Sequence, residues 1–255
     1  IRLEPTKMVE NKHNQKINVL SVYFDNVTLV DMRLNVKNYF EQQQQQSLFI
    51  VTANPEIVDY ASNNKGYRDL INSADYVIAD GTGVVKASRL LKTPLSERVP
   101  GIELMEECLK LAHTNKQRVF LLGSKDEVVS QARNNLSAKY PNITFGHHHG
   151  YIDLDDNNVL ASIKDFDPDY VFVAMGYPKQ EQWINKYGNQ FKYTVLMGVG
   201  GSLEVFGGVK KRAPKLIRKL NLEWVYRVVI DWKRLGRTKS IPIFLYKVWK
   251  QMRSK

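Results

Sequence analysis

Short apolar runs alternate with amphipathic stretches along most of the chain. The runs have the length of strands and little polar alternation, which is typical of strands buried on both faces of a parallel sheet. We predict strands over 17–24, 48–52, 75–79, 118–122, 143–147, 170–174 and 193–197. The order of elements predicts an α/β fold: a Rossmann-like, mainly parallel sheet covered by helices on both faces.

Helices are predicted between these strands. The first begins near Thr28 and ends in the glutamine tract 42–46, and Pro55 is well placed to start the next. Further helices are predicted over 84–91, 101–114, 126–140, 155–164, 182–187 and 203–206. Ligands of parallel sheets bind beyond the carboxyl ends of the strands. We therefore expect one composite site built from five polar or glycine-rich strand exits: 52–54, 80–83, 123–124, 176–181 and 198–202.

Asp80 is the main candidate for chemistry at this edge of the sheet. It follows the apolar run 75–79, and Gly81 and Gly83 let a ligand approach the backbone closely. The helix predicted behind them offers unpaired N–H groups to an anion. Asp is also a common helix N-cap. The local sequence therefore leaves two interpretations open: a catalytic carboxylate, or a cap of the following helix.

The glycine-rich segment 198–202 is the candidate phosphate site. Gly198, Gly200 and Gly201 end a predicted strand and precede a predicted helix, which suits a phosphate bound by backbone N–H groups. Tight packing of helix on strand explains these glycines equally well. The sequence contains neither the full dinucleotide fingerprint nor the P-loop Gly-Lys-Ser/Thr, which argues against NAD-dependent and ATP-dependent enzymes.

Charge divides the chain into two parts. The net charge is +11; residues 209–255 hold fifteen Lys or Arg against two acidic residues, a net of +13, and the rest has a net of −2. We predict a linker over 210–214, a basic helix over 220–237 and an amphipathic helix over 241–253. The predicted organisation is a disordered or cloning-derived N-terminus (1–16), a catalytic α/β domain (17–208) and a basic helical appendage that docks on a membrane and closes the site (209–255).

Three arginines of the appendage, Arg227, Arg234 and Arg237, share one face of the predicted basic helix. Guanidinium groups on one stripe beside tryptophans suit a diphosphate or a lipid headgroup. Basic and aromatic residues also favour an anionic leaflet. We expect deletion of 209–255 to abolish activity and leave a folded core. A nucleic-acid-binding module would explain the same tail, but would leave the strand exits without a purpose.

Several residues bear on location and on metal use. The single cysteine, Cys108, excludes an internal disulfide, indicates a reducing compartment and has the spacing of a buried thiol. No signal peptide and no apolar run long enough to span a bilayer is seen, so we expect a cytoplasmic protein.

Asp153 and Asp155 resemble a metal-binding pair, but Asp155 or Asp156 fits a helix cap. His147, His148 and His149 cannot converge on one ion from an extended segment, so they are expected to be structural or to line the site. We expect neither a metal nor a cofactor.

Seven motifs, in order, resemble those of the WecG/TagA/CpsF glycosyltransferases. They are Thr52-Ala53-Asn54-Pro55-Glu56, Ala79-Asp80-Gly81-Thr82-Gly83, Arg98-Val99-Pro100-Gly101, Pro178-Lys179-Gln180-Glu181, Gly198-Val199-Gly200-Gly201-Ser202, Arg212-Ala213-Pro214 and Leu222-Glu223-Trp224-Val225-Tyr226-Arg227. The likeness covers about residues 17 to 242. The segments 231–237 and 239–242 are similar to the branch of the family that acts in wall teichoic acid synthesis.

The resemblance implies an inverting, metal-independent transfer of N-acetylmannosamine from UDP-N-acetylmannosamine. The implied acceptor is the C4 hydroxyl of N-acetylglucosamine on undecaprenyl diphosphate, and the product is a β-1,4-linked disaccharide lipid. The implied location is peripheral, on the anionic inner face of the cell membrane, with no nucleic acid as partner; whether the chain forms a homo-oligomer is left open. A family member that transfers another UDP-sugar, N-acetylmannosaminuronic acid, for capsule or surface polysaccharide is also left open.

The resemblance also implies residue roles. Asp80 would be the general base that deprotonates the acceptor hydroxyl. Thr52 and Asn54 would line the sugar pocket, and Arg98 and Gln180 would contact polar groups of donor or acceptor. The nucleotide sugar is expected at Gly81, Gly123, Tyr151, Gly198, Gly200, Gly201 and Glu204, with Tyr151 near the uracil and Glu204 in place of the Asp typical of the family. Arg227, Arg234 and Arg237 would bind the lipid diphosphate.

Overall fold

A six-stranded parallel sheet forms the centre of the protein in a computed structural model that describes residues 16–214, 217, 226 and 240–253. Its strands are β3 (Leu48–Ala53), β4 (Tyr76–Ala79), β5 (Arg118–Gly123), β6 (Thr144–His148), β7 (Tyr170–Ala174) and β8 (Val195–Gly198). They lie in the order β4-β3-β8-β7-β5-β6, and every neighbouring pair is parallel. The predicted α/β fold is confirmed.

The prediction of one strand over 17–24 is wrong. The segment is an antiparallel hairpin of two strands, β1 (Ile17–Val19) and β2 (Val22–Phe24). Leu20 and Ser21 connect them with φ of 52° and 64°, the left-handed backbone of a tight two-residue hairpin turn. Because this turn contains neither glycine nor asparagine, it gives no turn signal in the sequence.

Ten helices within the described residues cover the sheet. They are α1 (Leu29–Glu41), α2 (Pro55–Asn63), α3 (Lys65–Asn72), α4 (Thr82–Leu90), α5 (Gly101–Asn115), α6 (Asp126–Lys139), α7 (Asn157–Phe166), α8 (Lys179–Tyr187), α9 (Ser202–Phe206) and α10 (Ser240–Arg253). Side chains of α2, α3, α4, α7, α8 and α10 share one apolar cluster, and those of α1, α5, α6 and α9 share another. The two predicted helical layers are confirmed. Cys108 is buried in the second cluster, where burial raises the pKa of its thiol to about 12.

The last helix, α10, confirms the prediction of an amphipathic helix over 241–253 and packs against the domain that carries the sheet. Phe244 and Val248 are fully buried in the apolar cluster with α2 and α4. Lys247 Nζ donates to Asp59 Oδ1 at 2.6 Å, and it also reaches two polar side chains at the end of α2, Ser62 and Asn63. Deleting 209–255 would therefore uncover part of the core, so loss of activity in that deletion would not be specific to membrane docking.

The segment 211–214 has no regular secondary structure, which agrees with the predicted linker. It is nevertheless anchored, because Arg212 pairs with Glu103 and Glu106 on α5 and Ala213 is buried. Apart from Tyr226, which is helical, the predicted basic helix over 220–237 lies outside the described residues, and so do Arg227, Arg234 and Arg237 and residues 1–15. Within the described ranges, none of the helices combines the length and apolarity needed to cross a bilayer.

Candidate active site

The six strand exits lie along one edge of the sheet, in the order of the strands. Asp80 follows the edge strand β4, and the glycine-rich segment 198–202 follows β8, two strands away. With neighbouring strands about 4.8 Å apart, these exits are separated by roughly 10 Å. Tyr151 follows β6 at the opposite edge, roughly 24 Å from the end of β4 by the same spacing. The exits therefore share one end of the sheet, as expected, but they are spread across its whole width; that they form one composite site stays a prediction.

The exits of β3 and β4 interlock through Pro55. A Cβ atom at Gly81 would lie 2.5 Å from Pro55 Cδ, and one at Gly83 would lie 2.7 Å from Pro55 Cγ. Such distances are far below van der Waals contact, so no larger residue fits at either position without a shift. The glycines thus let the Asp80 turn close on Asn54 and Pro55.

Asp80 is half-buried at this junction and is fixed from two sides. Its N–H donates to Ala53 O at 3.0 Å, and its Oδ1 accepts a 3.1 Å hydrogen bond from Gly101 N–H, the first residue of α5. The N-cap of α4 is Gly81, which has no side chain. The interpretation of Asp80 as the cap of the following helix is therefore wrong; its carboxylate meets the start of α5 instead.

Thr52, Asn54 and Arg98 lie in segments that meet near the ends of β3 and β4. Thr52 is buried and its Oγ1 donates to Gly198 O at 2.8 Å, which joins the exits of β3 and β8. Asn54 Oδ1 accepts from Ile57 N–H and caps α2. Val99 N–H donates to Ala79 O at 2.9 Å, which holds Arg98 beside the end of β4. Direct contact of Thr52, Asn54 and Arg98 with a sugar stays a prediction.

The helix α8 begins at Lys179, earlier than the predicted 182, so Gln180 and Glu181 lie in its first turn and point inward. Gln180 Nε2 donates to Glu181 Oε1 at 2.6 Å, and Gln180 Oε1 accepts from Gly200 N–H at 3.1 Å. Glu181 Oε2 also accepts a 3.0 Å hydrogen bond from the Tyr67 hydroxyl on α3. Burial raises the pKa of Glu181 to about 7. Sequence reasoning gave Glu181 no role beyond its place in the strand exit 176–181 and did not single out Tyr67, because the burial of a polar side chain by tertiary contacts leaves no local signal.

The glycine-rich exit of β8 presents open space on its outer side. No heavy atom of the described residues lies within 4 Å of where a Cβ of Gly200 would stand, and its φ is 49°. Glu204 lies next to Gly201, with its Oε2 3.1 Å from the position of a Cβ there, and it pairs with Lys210. The N–H of Gly200 is engaged by Gln180. A phosphate at this exit stays a prediction that would use the other amides.

The far end of the edge forms a separate opening. Tyr151 is 72% exposed. Together with Lys125, Asp126, Glu127 and His149 it lines an open cavity of about 350 Å³. Gly123 has a φ of 143°, and a Cβ there would lie 2.4 Å from Ala174 O, so only glycine fits where β5 leaves the sheet. His149 lines this opening, but that a histidine of 147–149 lines the substrate site stays a prediction, as does Tyr151 as a neighbour of uracil.

Three of the side chains considered as metal ligands or caps, Asp155, Asp156 and His147, have other partners. Asp156 caps α7 by accepting from Asn158 and Val159 N–H, which confirms the predicted helix cap, and Asp155 pairs with Lys186. His147 Nε2 lies 2.9 Å from Ser130 Oγ. Among the described residues, no three His, Cys, Asp or Glu side chains are grouped closely enough to hold a metal ion.

The fold is that of an α/β protein with a parallel sheet, and its candidate catalytic carboxylate stands at the carboxyl ends of the strands. A family model described as "Glycosyl transferase WecG/TagA/CpsF family" matches residues 17–255. The chain is 61% identical over 244 residues, 96% of each chain, to the "N-acetylglucosaminyldiphosphoundecaprenol N-acetyl-beta-D-mannosaminyltransferase" of Staphylococcus aureus strain NCTC 8325 / PS 47. It is 59% identical over the same length and coverage to the protein of that name from S. aureus strain MRSA252. The chain belongs to the WecG/TagA/CpsF family of glycosyltransferases.

Proposed function

We propose that this glycosyltransferase moves N-acetylmannosamine from UDP-N-acetylmannosamine to the C4 hydroxyl of N-acetylglucosaminyl-diphospho-undecaprenol. The product would be the β-1,4-linked disaccharide lipid of wall teichoic acid synthesis. The relatives' printed name, which gives this sugar and this lipid-linked acceptor, supports the proposal at 61% identity. The observation that carries it is the half-buried carboxylate of Asp80, fixed by Gly101 N–H where the exits of β3 and β4 interlock.

In the proposed mechanism Asp80 is the general base. The acceptor C4 hydroxyl attacks the anomeric carbon of N-acetylmannosamine and gives its proton to the Asp80 carboxylate. The bond from the anomeric carbon to the phosphate oxygen breaks, and UDP leaves with the electron pair. A single displacement inverts the anomeric centre, and a single base on the side opposite the leaving group is what it needs.

Negative charge that builds on the leaving diphosphate needs fixed partners. The exit of β8 supports this role, because it lies two strands from Asp80 and its Gly200 faces open space among the described residues. The guanidinium groups of Arg227, Arg234 and Arg237 are proposed as further partners; they lie outside the described residues. Glu204 is proposed to face the nucleotide from α9, with Lys210 as its counter-ion.

We propose a membrane-facing surface on α10, defined as its outward apolar side chains Ile243, Leu245, Tyr246, Trp249 and Met252. These side chains are exposed, while the opposite face of the helix is buried. The guanidinium of Arg253 lies 3.9 Å from the centre of the Trp249 ring, so a cation stands at the end of this surface. Aromatic side chains beside cations suit the headgroup region of an anionic bilayer. This surface supports a peripheral enzyme on the inner face of the membrane, with residues 17–208 as the catalytic part and 209–255 as the docking part.

One experiment tests the reaction. The full chain is incubated with a short-chain lipid-linked N-acetylglucosamine and either UDP-N-acetylmannosamine or UDP-N-acetylmannosaminuronic acid, with and without EDTA, and the product is weighed by mass spectrometry. The proposal expects the mass of one added N-acetylmannosamine, unchanged by EDTA. If product forms only with UDP-N-acetylmannosaminuronic acid, the proposed donor is wrong. If product forms with neither donor, the proposed reaction is wrong.

A further inference from the structure

Glu181 is a buried acid that the mechanism above does not use. It is 0% exposed, in the first turn of α8, and both oxygens of its carboxyl accept hydrogen bonds. Burying an ionisable carboxyl is costly unless its partners are well placed, and such groups cluster at functional sites. The two donors are Gln180, its neighbour in the chain, and Tyr67, on α3.

Gln180 connects this acid to the glycine-rich exit of β8. Its amide oxygen accepts from Gly200 N–H, while its amide nitrogen donates to Glu181. The fit is close, because a Cβ at Gly198 would lie 2.7 Å from Gln180 Nε2. With Gln180 only 2% exposed, its side chain has little room to adopt another rotamer. The conformation of the β8 exit therefore depends on the orientation of one amide, and that orientation depends on Glu181.

We infer that Glu181 is a positioning residue that, as a carboxylate, holds Gln180 and through it the segment 198–202 in the shape that receives the diphosphate of the donor. The inference rests on the proposed function only in taking a nucleoside diphosphate as the ligand of that segment. Glu181 touches no reacting atom. Its effect is on the affinity for the nucleotide.

The protonation state of Glu181 decides whether this arrangement holds. Both partners are donors: burial and the nearby Glu181 carboxylate raise the pKa of Tyr67, so its hydroxyl keeps its proton. The carboxylate offers a strong acceptor oxygen to each donor, whereas protonation turns one oxygen into a weaker acceptor that carries a proton of its own facing a donor. Burial raises the pKa of Glu181 to about 7, so the change falls near neutral pH. Among the described residues, Tyr67 is the titratable side chain that hydrogen-bonds to Glu181; Tyr60 packs on the ring of Tyr67, and Tyr177 packs on the ring of Tyr60.

The test measures binding of UDP to the full chain by calorimetry between pH 6 and pH 8.5, for wild type, Glu181→Gln and Asp169→Asn. Asp169 is the matched control: burial raises its pKa, and it accepts from Arg118 N–H, but it precedes β7 and so lies at the amino ends of the strands, away from the exits. At pH 8, loss of a charge-assisted hydrogen bond in Glu181→Gln should weaken UDP binding about ten- to hundredfold. Asp169→Asn should bind UDP like wild type.

The pH dependence separates positioning from general destabilisation. The phosphates of UDP also titrate in this range, so the decisive quantity is the ratio of dissociation constants between variants. That ratio for Glu181→Gln over wild type should grow as pH rises through 7 and stay constant for Asp169→Asn. In turnover assays Glu181→Gln should raise the KM for the donor more than it lowers kcat.

Three outcomes would overturn the inference: Glu181→Gln binds UDP like wild type at every pH, both variants lose affinity equally, or wild type binds no UDP. The product assay distinguishes this from failure of the proposed reaction. If UDP affinity follows Glu181 but no N-acetylmannosamine is transferred, the inference stands and the proposed reaction fails. If Glu181→Gln transfers the sugar with unchanged KM and kcat, the reaction stands and the inference fails.

Discussion

Thr52 and Gly198 are 146 positions apart in the chain and are joined by a 2.8 Å hydrogen bond from Thr52 Oγ1 to Gly198 O. Thr52 also packs against Gly101, the residue whose N–H binds Asp80. On the other side, Gly198 packs against Gln180. The side chains of Thr52 and Gln180 thus connect the proposed base, Asp80, to the proposed diphosphate segment, 198–202. A substitution that shifts the backbone at one of these positions is therefore expected to affect the other.

The interlock of Pro55 with the Asp80 turn predicts that Gly83→Ala is destabilising and less active. Its Cβ would lie 2.7 Å from Pro55 Cγ, so the exits of β3 and β4 must separate. Overpacking of this kind costs about 1–3 kcal/mol in the free energy of unfolding. We expect a lower thermal midpoint and a lower kcat, measured by calorimetry and by the product assay.

Gly66→Ala is the matched control, since Gly66 is the second residue of α3 as Gly83 is of α4. A Cβ at Gly66 would have its nearest neighbour at 3.8 Å. Replacing a helical glycine by alanine without a clash stabilises by up to about 1 kcal/mol. Equal shifts in thermal midpoint for the two variants would contradict the interlock.

Glu181 predicts a pH-dependent stability with a definite sign. The pKa of its carboxyl is about 7 in the folded chain and 4.5 ordinarily, so between these values the folded state binds more protons. Stability contributed by this group therefore falls as pH rises from 4.5 to 7, by about 3 kcal/mol in total. We expect the free energy of unfolding of wild type minus that of Glu181→Gln to decrease by this amount over the window, measured by urea unfolding. The other carboxyl groups are present in both proteins, so their contributions cancel in this difference. A difference in free energy of unfolding that stays constant between pH 4.5 and pH 7 would contradict the prediction.

The membrane-facing surface of α10 predicts that Tyr246→Ser with Trp249→Ser weakens binding to vesicles of anionic lipid. Both side chains are exposed and stacked on each other at 6.0 Å, so the thermal midpoint should barely change. Loss of two large apolar groups from the headgroup region should lower the partition coefficient roughly tenfold or more, measured by co-sedimentation. Tyr23→Ser, which removes an exposed tyrosine from β2, should sediment like wild type. Unchanged sedimentation of the double variant would show that this surface of α10 does not bind the membrane.

Much of the fold follows from the sequence because its strands are buried on both faces. Runs such as 170–174 contain no polar residue and match β7 at both ends. The hairpin at 17–24 was missed because its turn, Leu20-Ser21, adopts left-handed backbone without glycine. The order of strands could not be predicted either, since nothing local records that β8 inserts between β3 and β7.

The sequence likewise predicts some residues of the candidate site and not others. A carboxylate at a strand exit, followed by Gly81 and Gly83, was enough to single out Asp80, and the need for glycine at 81 and 83 has a steric cause. Glu181 escaped prediction, because a polar residue that is buried by tertiary contact has the same local signature as one in solvent. The sequence of α10 likewise predicts an amphipathic helix but does not indicate which of its apolar residues meet the core. In the structure Phe244 and Val248 face the core, and Tyr246 and Trp249 face outward.

The most direct test of the account is the turnover of Asp80→Asn. Asparagine keeps an oxygen that can accept from Gly101 N–H, so the fold, the thermal midpoint and UDP binding should match wild type. It cannot take a proton from the acceptor hydroxyl, so kcat with UDP-N-acetylmannosamine and lipid-linked N-acetylglucosamine should fall about 10²- to 10⁴-fold. Turnover at the wild-type rate by a folded, UDP-binding Asp80→Asn would show that Asp80 is not the base.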